Sequence, residues 1–446
     1  MTQGEQLTKR ETRQGAIMRL VYEEMEERMQ PKPFVPGVSP VPYSGTVAGG
    51  EEFAATVRSM LTGWFGAGEA TNRFEQQVAE KFGRKRKGIF VNSGSSANLV
   101  SLAALTSRRV PPEKRLERGD EVVTCVTGFP TTLNPLLQYG MSVNFVDTSL
   151  PTYNPTGDAL VDAVSHTTKA LVFAHTVGNP YDMRVVMDLV RDYKLRLIED
   201  CCDALGSTYE GRPVGSFGDF ATCSFYPAHH VTTGEGGMVM SDQPQLLKVA
   251  ESFRDWGRSC WCPAGHDNTC GKRFGWKLGD LPEGYDHKYV YDDIGYNLKP
   301  LEWQAAFGVE QMKRADAFVE ARRRNFRTLS KALQSVRDLL VLPEATKGAD
   351  PSWWSYPITL QEGLDRRRVV ASLDAAKVHT RMLFGGNMLR QPAYAPLKLA
   401  DPAAFPNADR VMNQTFFVGV SPLMTEEMAT YAARAIAHAA AEAAVR

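Results

Sequence analysis

Seven short apolar runs, separated by segments with helical patterns, constrain the fold of this chain more than any other feature. They lie between residues 50 and 300 and read GIFVNSG, EVVTCV, VNFVD, ALVFAHT, LRLIED, DFATCSFY and GGMVMS. Several runs are almost continuously apolar, as expected of strands that are buried on both faces of a mostly parallel sheet. The pattern therefore predicts an α/β fold built on a seven-stranded, mostly parallel sheet.

The same pattern divides the chain into three regions. Residues 1–45 combine a helical spacing of apolar side chains in AIMRLVYEEMEERM with a proline-rich, extended arm. Residues 46–300 hold the seven runs and are predicted to form the large domain. Residues 301–446 open with a long helical pattern and close with an alanine-rich helix, which predicts a smaller C-terminal α+β domain.

Composition limits the partners that such a chain can have. Basic and acidic residues balance at 51 each, so net charge provides no attraction to nucleic acid or to an anionic membrane surface. No stretch approaches the roughly 20 apolar residues of a membrane span. The start of the chain, MTQGEQLTKRETRQG, lacks the apolar core of an export signal. We therefore expect a cytoplasmic protein with no nucleic-acid or membrane partner.

The first candidate binding site is the turn VNSGSSANLV, where a predicted strand passes into a helix. Gly94 and Ser95 lie at the start of that helix, where free backbone N–H groups can bind a phosphate. An ordinary helix cap uses the same residue types. From the turn alone, both interpretations stay open.

The second candidate is Asp200, which follows the apolar residues of LRLIED. A carboxylate at that depth is costly to bury unless it meets a cation or hydrogen-bond donors. The protonated ring nitrogen of a pyridoxal-type cofactor would serve, and so would an arginine or a helix cap.

The third candidate is the segment SFYPAHHVTTGEGG at residues 224–237. With the phosphate turn and Asp200 before it, the chain resembles the fold-type-I pyridoxal-phosphate (PLP) enzymes, and among them the DegT-type nucleotide-sugar aminotransferases. In that family a lysine of this segment joins the cofactor as a Schiff base, and its position falls on His229. Imidazole forms no stable Schiff base, so the resemblance implies a cofactor held without a covalent bond, as pyridoxamine 5′-phosphate (PMP). His229 can still move a proton; the alternative is a structural histidine in an inactive relative.

Histidine in place of the lysine is typical of a subgroup, the PMP-dependent sugar 3-dehydrases, which remove the C3 hydroxyl group of nucleotide-linked 4-keto-6-deoxyhexoses. The resemblance covers residues 30–420 through the segments GFPTT, LIEDCCDALGSTY, ESFRDWGR, DNTCGKRFG, GYDHKY, GYNLK and MNQTF. Members act on CDP-linked 4-keto-6-deoxyglucose or on TDP-linked 4-keto-2,6-dideoxyhexoses, and the motifs do not separate these substrates.

Four cysteines are the candidate ligands of a redox centre. Cys202, Cys260, Cys262 and Cys270 are separated by 57, one and seven residues. Clustered thiols in a reducing compartment are more often metal ligands or reactive groups than disulfides, and four thiolates suit either a [2Fe–2S] cluster or structural zinc. The spacing is similar to that of the iron–sulfur members of the subgroup. The resemblance thus implies a [2Fe–2S] cluster supplied with single electrons by a reductase, of the flavin/iron–sulfur or the ferredoxin/flavodoxin type.

The resemblance also implies roles for single residues. Catalysis is assigned to His229, Tyr226 and Asp203, and substrate contact to Arg410, with His230 as a substrate-binding or supporting neighbour of His229. The cofactor is expected to be held by Gly94, Ser95, Phe129, Asp200, Ser224 and Asn297. Because the family's residue at the last position reaches the phosphate in the neighbouring subunit, the resemblance implies a homodimer.

Two other functions fit the same residues. One is a lysine-free nucleotide-sugar 4-aminotransferase, which would transfer an amino group from glutamate. The other is a non-catalytic, zinc-bearing relative that acts as a binding protein.

Overall fold

The computed structural model describes the backbone of residues 3–444 and the side chains of residues 13–444. The polar start of the chain therefore lies partly outside the described residues. The helices are α1 (Gln3–Arg28), α2 (Gly50–Met60), α3 (Glu69–Lys81), α4 (Gly94–Thr106), α5 (Pro130–Gln138), α6 (Gly157–Ala163), α7 (Met183–Tyr193), α8 (Pro244–Arg254), α9 (Glu302–Lys313), α10 (Ala315–Leu333), α11 (Arg366–Ala375), α12 (Pro406–Gln414) and α13 (Glu426–Ala444). The strands are β1 (Ile89–Val91), β2 (Glu121–Cys125), β3 (Ser142–Val146), β4 (Thr168–Ala174), β5 (Arg196–Asp200), β6 (Thr208–Tyr209), β7 (Arg212–Pro213), β8 (Phe220–Ser224), β9 (Gly237–Met240), β10 (Leu340–Val341), β11 (Ala349–Asp350), β12 (Ser355–Leu360) and β13 (Thr415–Gly419).

The main sheet has seven strands in the order β1-β9-β8-β5-β4-β2-β3. Neighbouring strands are parallel except at β9, which runs antiparallel to both β1 and β8. These seven strands are the seven apolar runs of the sequence, so the predicted sheet is confirmed.

Helices cover both faces of this sheet. One face packs against α3, α7 and α9 through a core that includes Phe74, Val186 and Val309. The opposite face packs against α4 and α8 through residues such as Leu105 and Val249. Burial on both faces explains why the strands carry apolar side chains at successive positions.

A second core belongs to the C-terminal part of the chain, where β10, β12 and β13 form a three-stranded antiparallel sheet. Ile358 and Ile436 are fully buried in this core. The sequence predicts the domain boundary at residue 300, but α9 packs in the core of the large sheet. The division runs within α10, because Val319 joins the large core and Phe326 the small one.

The topology brings the candidate residues to one edge of the sheet. Strands β2, β4, β5 and β8 are parallel, and β1 points the same way because β9 is antiparallel to both of its neighbours. The carboxyl ends of these strands are followed by Gly94, Phe129, His175 and Asp203. In open α/β sheets this edge is where ligands bind.

No helix within residues 3–444 is both long enough and apolar enough to cross a membrane.

Candidate active site

A cavity of about 320 Å³ lies at the carboxyl edge of the main sheet. Its wall combines the strand ends of the large domain with residues of the N-terminal arm and the small domain. The lining residues include Tyr43, Gly94, Ser95, Phe129, Thr132, His175, Asp200, Cys202, Asp203, Ser224, Tyr226, His229, Trp354, Arg381, Phe384 and Phe417.

The start of α4 forms one part of the wall. Ser93 is the N-cap and its side chain accepts a hydrogen bond from the Ser96 backbone N–H. Gly94 is needed for close packing, because a Cβ atom there would lie 2.5 Å from Cβ of Ser224. The three predicted phosphate ligands Gly94, Ser95 and Ser224 thus lie together at a helix N-terminus, the geometry that suits a phosphate.

Asp200 ends β5 at the edge of the cavity and is buried. Its Oδ2 accepts hydrogen bonds of 2.7 Å from both Asn98 and Thr132, and its Oδ1 accepts one of 3.1 Å from the Cys202 backbone N–H. Within residues 13–444, no lysine, arginine or histidine side chain forms an ion pair with it. A fixed, buried carboxylate without a cation fits the protonated ring nitrogen of a pyridoxal-type cofactor.

His229 lies in the turn after β8 and also lines the cavity. Its Nδ1 is 3.3 Å from Oδ1 of Asp203, an ion-pair distance in a pair whose side chains are 16% and 12% exposed. Nδ1 of His229 forms no hydrogen bond within the described residues. Burial raises the pKa of Asp203, and the neighbouring His229 opposes that rise. Since Nδ1 is turned to the carboxylate, Nε2 is the ring nitrogen left for a ligand.

Two side chains fix the turn that carries His229. Trp354 donates from Nε1 to the carbonyl oxygen of Ala228 over 2.9 Å. Arg322, on α10, is fully buried and donates to the carbonyl oxygens of His229 and Trp354 over 2.9 and 2.8 Å. Burial lowers the pKa of Arg322 to about 10, against the attraction of Asp203.

Aromatic rings form much of the remaining wall. Phe129 is 52% exposed, and its ring meets Phe384 edge-on at 6.0 Å. Tyr226 is 48% exposed and lies 6.4 Å from the His229 ring. Both predicted residues therefore present a ring surface that a flat ligand can contact.

Three of the residues predicted to contact the cofactor or the substrate do not line the cavity. His230 is buried, its Nε2 is 2.8 Å from Oγ of Ser352, and it is not among the residues that line the cavity. Arg410 donates to Oε1 of Gln361 over 3.0 Å and is not among the residues that line this cavity. Asn297 accepts a hydrogen bond from Lys299 at 2.6 Å and lies outside the cavity of its own chain.

The four predicted cluster ligands lie in two separate parts of the fold. Cys202 lines the cavity, with its sulfur 3.0 Å from where a Cβ atom on Gly94 would lie. Cys260 and Cys270 lie together with His287, and the Cys262 backbone N–H donates to the sulfur of Cys260 over 3.5 Å. The structure therefore does not gather all four thiols. Cys202 is tied to the end of β5, whereas the others belong to the long loop after α8.

The loop cysteines have the chemistry of metal ligands. None forms a disulfide. Burial raises the pKa of Cys262, but hydrogen bonds with Thr269, Cys270 and Cys260 outweigh it and bring the pKa to about 7. A thiol of that kind readily becomes the thiolate that binds metal. His287 stacks on Trp276 with ring centres 4.8 Å apart and faces Cys270 at 3.8 Å. The donor set fits a thiolate-bound cluster.

Several wall residues are not found by sequence reasoning. Trp354, Arg381, Phe384 and Tyr43 come from the small domain and the arm, and they carry no motif that links them to the strand ends. Positive φ angles at Trp353 (55°) and Phe384 (49°) mark the tight turns that present some of them, but such angles are visible only in the structure.

Residues 47–437 of the chain match the DegT/DnrJ/EryC1/StrS aminotransferase family. The chain belongs to this family. The lipopolysaccharide biosynthesis protein RfbH of Salmonella typhimurium is 50% identical over 93% of this chain and 95% of its own length. The dTDP-4-dehydro-2,6-dideoxy-D-glucose 3-dehydratase of Saccharopolyspora spinosa is 47% identical over 91% of this chain and 87% of its own.

Solved structures of the DegT family have the same fold. The GDP-4-keto-6-deoxy-D-mannose 3-dehydratase of E. coli with bound hydrated PLP covers 89% of this chain and 99% of its own at 28% identity, with a TM-score of 0.79. A variant of GDP-4-keto-6-deoxymannose 3-dehydratase with bound GDP-perosamine gives the same identity and TM-score. The expected PLP-enzyme fold and the family resemblance are confirmed.

Proposed function

We propose that this protein is a PMP-dependent 3-dehydrase that removes the C3 hydroxyl group of a nucleotide-linked 4-keto-6-deoxyhexose. In the overall reaction the C3–O bond breaks, the oxygen leaves as water, and two electrons and two protons replace it by hydrogen. A [2Fe–2S] cluster, when bound, would supply one-electron chemistry, and a reductase of the flavin/iron–sulfur or ferredoxin/flavodoxin type would supply the electrons. The names of the dTDP-linked and GDP-linked 3-dehydratases among its relatives support this substrate class.

The observation that carries this proposal is His229, which stands in the cavity where the family's lysine would be. The lining residues within the described part of the chain include no lysine. A cavity with a phosphate site and a fixed carboxylate but no lysine favours a cofactor that is bound without being covalently attached.

Different residues of the chain would bind different parts of the cofactor. Gly94, Ser95 and Ser224 would hold the phosphate of PMP, Asp200 its ring nitrogen, and Phe129 one face of its ring. When bound, PMP supplies an amine for the 4-keto carbon and a conjugated ring that accommodates an electron pair.

His229 is the proton carrier of the site. Its neutral ring accepts a proton at Nε2, and the Asp203 carboxylate, 3.3 Å from Nδ1, stabilises the imidazolium that results. Arg322 and Trp354 hold the turn in place, so the ring keeps one position while it gains and loses the proton.

The redox centre is assigned to the loop after α8. Cys260, Cys262 and Cys270 would bind the cluster with their thiolates, and the spacing of the sequence keeps Cys202 as the proposed fourth ligand. Because Cys202 lines the cavity, a ligand at that position would place the cluster beside the substrate. Asn297 is proposed to reach the cofactor phosphate of a second copy in a homodimer.

The product separates this function from its rivals. The purified protein, loaded with PMP and reconstituted with iron and sulfide, is incubated with CDP- or dTDP-linked 4-keto-6-deoxyhexose and a chemical one-electron reductant. We expect a 3-deoxy sugar that forms only with the reductant. A 4-amino sugar formed from glutamate without reductant would establish the aminotransferase, and bound zinc with no turnover would establish the binding protein.

A further inference from the structure

We infer that Arg381 is the residue that binds the diphosphate group of the nucleotide-sugar substrate. This inference rests on the proposed substrate class and deepens it, since it names the contact that makes a nucleoside diphosphate a ligand of this cavity. Sequence reasoning assigns substrate contact to Arg410, which the structure places elsewhere.

Charge distribution in the cavity is the first argument. Asp200 and Asp203 are acidic, and both lie at the strand ends of the large domain. Among the lining residues in the described part of the chain, Arg381 is the one arginine or lysine. A diphosphate is repelled by the two carboxylates, so it is most stable at the part of the wall that carries Arg381.

The second argument is how firmly Arg381 is held. Its backbone pairs with Phe417 on β13, through hydrogen bonds of 3.1 and 2.7 Å. Its guanidinium lies over the ring of Tyr43 at 4.3 Å from the centroid, and the Tyr43 ring in turn meets Phe417 edge-on at 6.2 Å. The small sheet thus holds the backbone of Arg381, and Tyr43 of the arm packs against its guanidinium.

The third argument is that the guanidinium of Arg381 keeps N–H groups that can donate hydrogen bonds to a ligand. Nη1 donates to the carbonyl oxygen of Thr380 over 2.8 Å. Within residues 13–444, no carboxylate lies in ion-pair range of Arg381, although other exposed arginines, such as Arg367 and Arg327, have acidic partners. An arginine that packs over an aromatic ring and keeps free N–H groups suits bidentate binding of phosphate oxygens.

Binding of substrate fragments tests this site without any turnover. Isothermal titration calorimetry measures the Kd of CDP, dTDP and GDP, with cytidine and thymidine as fragments that lack phosphate, on the PMP-loaded protein. For the diphosphate that binds most tightly, we expect Arg381→Gln to weaken binding by about 10- to 100-fold, the loss typical of charge-assisted hydrogen bonds. Arg381→Lys should recover part of the affinity, because it restores the charge but not the bidentate geometry.

Two further variants make the result decisive. Arg327→Gln removes an exposed charge on α10 that is 63% exposed, and it should leave the Kd unchanged. Equal affinity in wild type and Arg381→Gln would overturn the inference, as would a loss in Arg410→Gln with none in Arg381→Gln, or a wild type that binds none of the diphosphates. Deoxygenation is scored separately: a protein that binds CDP through Arg381 but forms no 3-deoxy sugar would keep this site and refute the proposed function.

Discussion

At the scale of single residues, the proposed function depends on His229, which stands where the family's lysine would be. A lysine at residue 229 could form a Schiff base with the cofactor, whereas a histidine can carry a proton but forms no stable Schiff base. Asp203 gives the histidine its direction, because the carboxylate lies 3.3 Å from Nδ1 and leaves Nε2 for the ligand. The pair has the arrangement in which an acid orients a catalytic imidazole.

Asp203→Asn tests that orientation. We expect proton transfer by His229 to slow by about 10²- to 10⁴-fold, because the amide does not stabilise the imidazolium as the carboxylate does. PMP binding, measured by the change in cofactor fluorescence, should stay as in wild type. A variant with normal proton transfer would show that the carboxylate does not orient the ring.

The same substitution changes stability with a definite sign. Burial raises the pKa of Asp203 in the folded protein, so the ionised carboxylate costs stability as pH rises from the unfolded pKa through the folded one. Asn carries no charge, and the variant should therefore have a higher Tm than wild type at pH 7, by about 2 °C. The difference should shrink towards pH 4, which scanning calorimetry at the two pH values can check.

At the scale of elements, α10 joins the two domains and holds the turn that carries His229. Its first turns belong to the large core and its later turns to the small one. Arg322 is the point of contact, since it donates to the carbonyl oxygens of His229 and Trp354. A helix shared by both domains thus determines where His229 lies.

Arg322→Lys breaks this connection while it keeps the charge. A lysine ammonium cannot match the planar fork that reaches both carbonyl oxygens, and one buried acceptor loses its donor. We expect the free energy of unfolding to fall by about 1–3 kcal/mol in urea titrations, together with faster amide hydrogen exchange in residues 226–230. Arg327→Gln, on the exposed side of the same helix, should change neither quantity.

The loop after α8 carries three of the proposed cluster ligands. Replacing Cys260, Cys262 or Cys270 by serine should each remove iron and the absorption of the [2Fe–2S] cluster, because a lost thiolate leaves the cluster without a ligand. PMP binding should be unchanged, since none of the three lines the cavity. Cys223→Ser, in the buried strand β8, is the matched control and should retain iron.

Cys202→Ser distinguishes the two places in which the predicted ligands lie. Loss of iron would keep Cys202 as the fourth ligand. Full iron content with altered PMP binding would assign it to the cofactor site alone.

At the scale of the whole molecule, the proposed homodimer makes each cavity depend on two chains. Asn297 lies outside its own cavity, and it is proposed to serve the neighbouring one. A mixture of His229→Asn and Asn297→Ala chains, unfolded and refolded together, should then recover about a quarter of wild-type activity, because half of the dimers carry one intact site. No recovery would mean that Asn297 does not act across the interface.

The sequence predicts the large sheet well because its strands are buried on both faces, which makes each of them a continuous apolar run. It also predicts that Gly94, Asp200, Ser224 and His229 lie near one another, since they end or follow strands whose carboxyl ends share one edge. It does not predict Arg381, Trp354 or Arg322, which reach the site through the packing of the arm and the small domain. Nor does it separate Cys202 from the loop cysteines, because chain spacing does not determine distance in the fold.

The central claim is that His229 is the base of a PMP enzyme, and hydrogen exchange at the cofactor tests it most directly. Wild type and His229→Asn, both loaded with PMP, are incubated in D₂O with the nucleotide-linked 4-keto-6-deoxyhexose, and deuterium at C4′ of the recovered cofactor is measured by mass spectrometry. Absorption spectra first establish that both proteins hold PMP. We predict rapid incorporation in wild type and none above background in His229→Asn; incorporation at the wild-type rate in the variant would contradict the account.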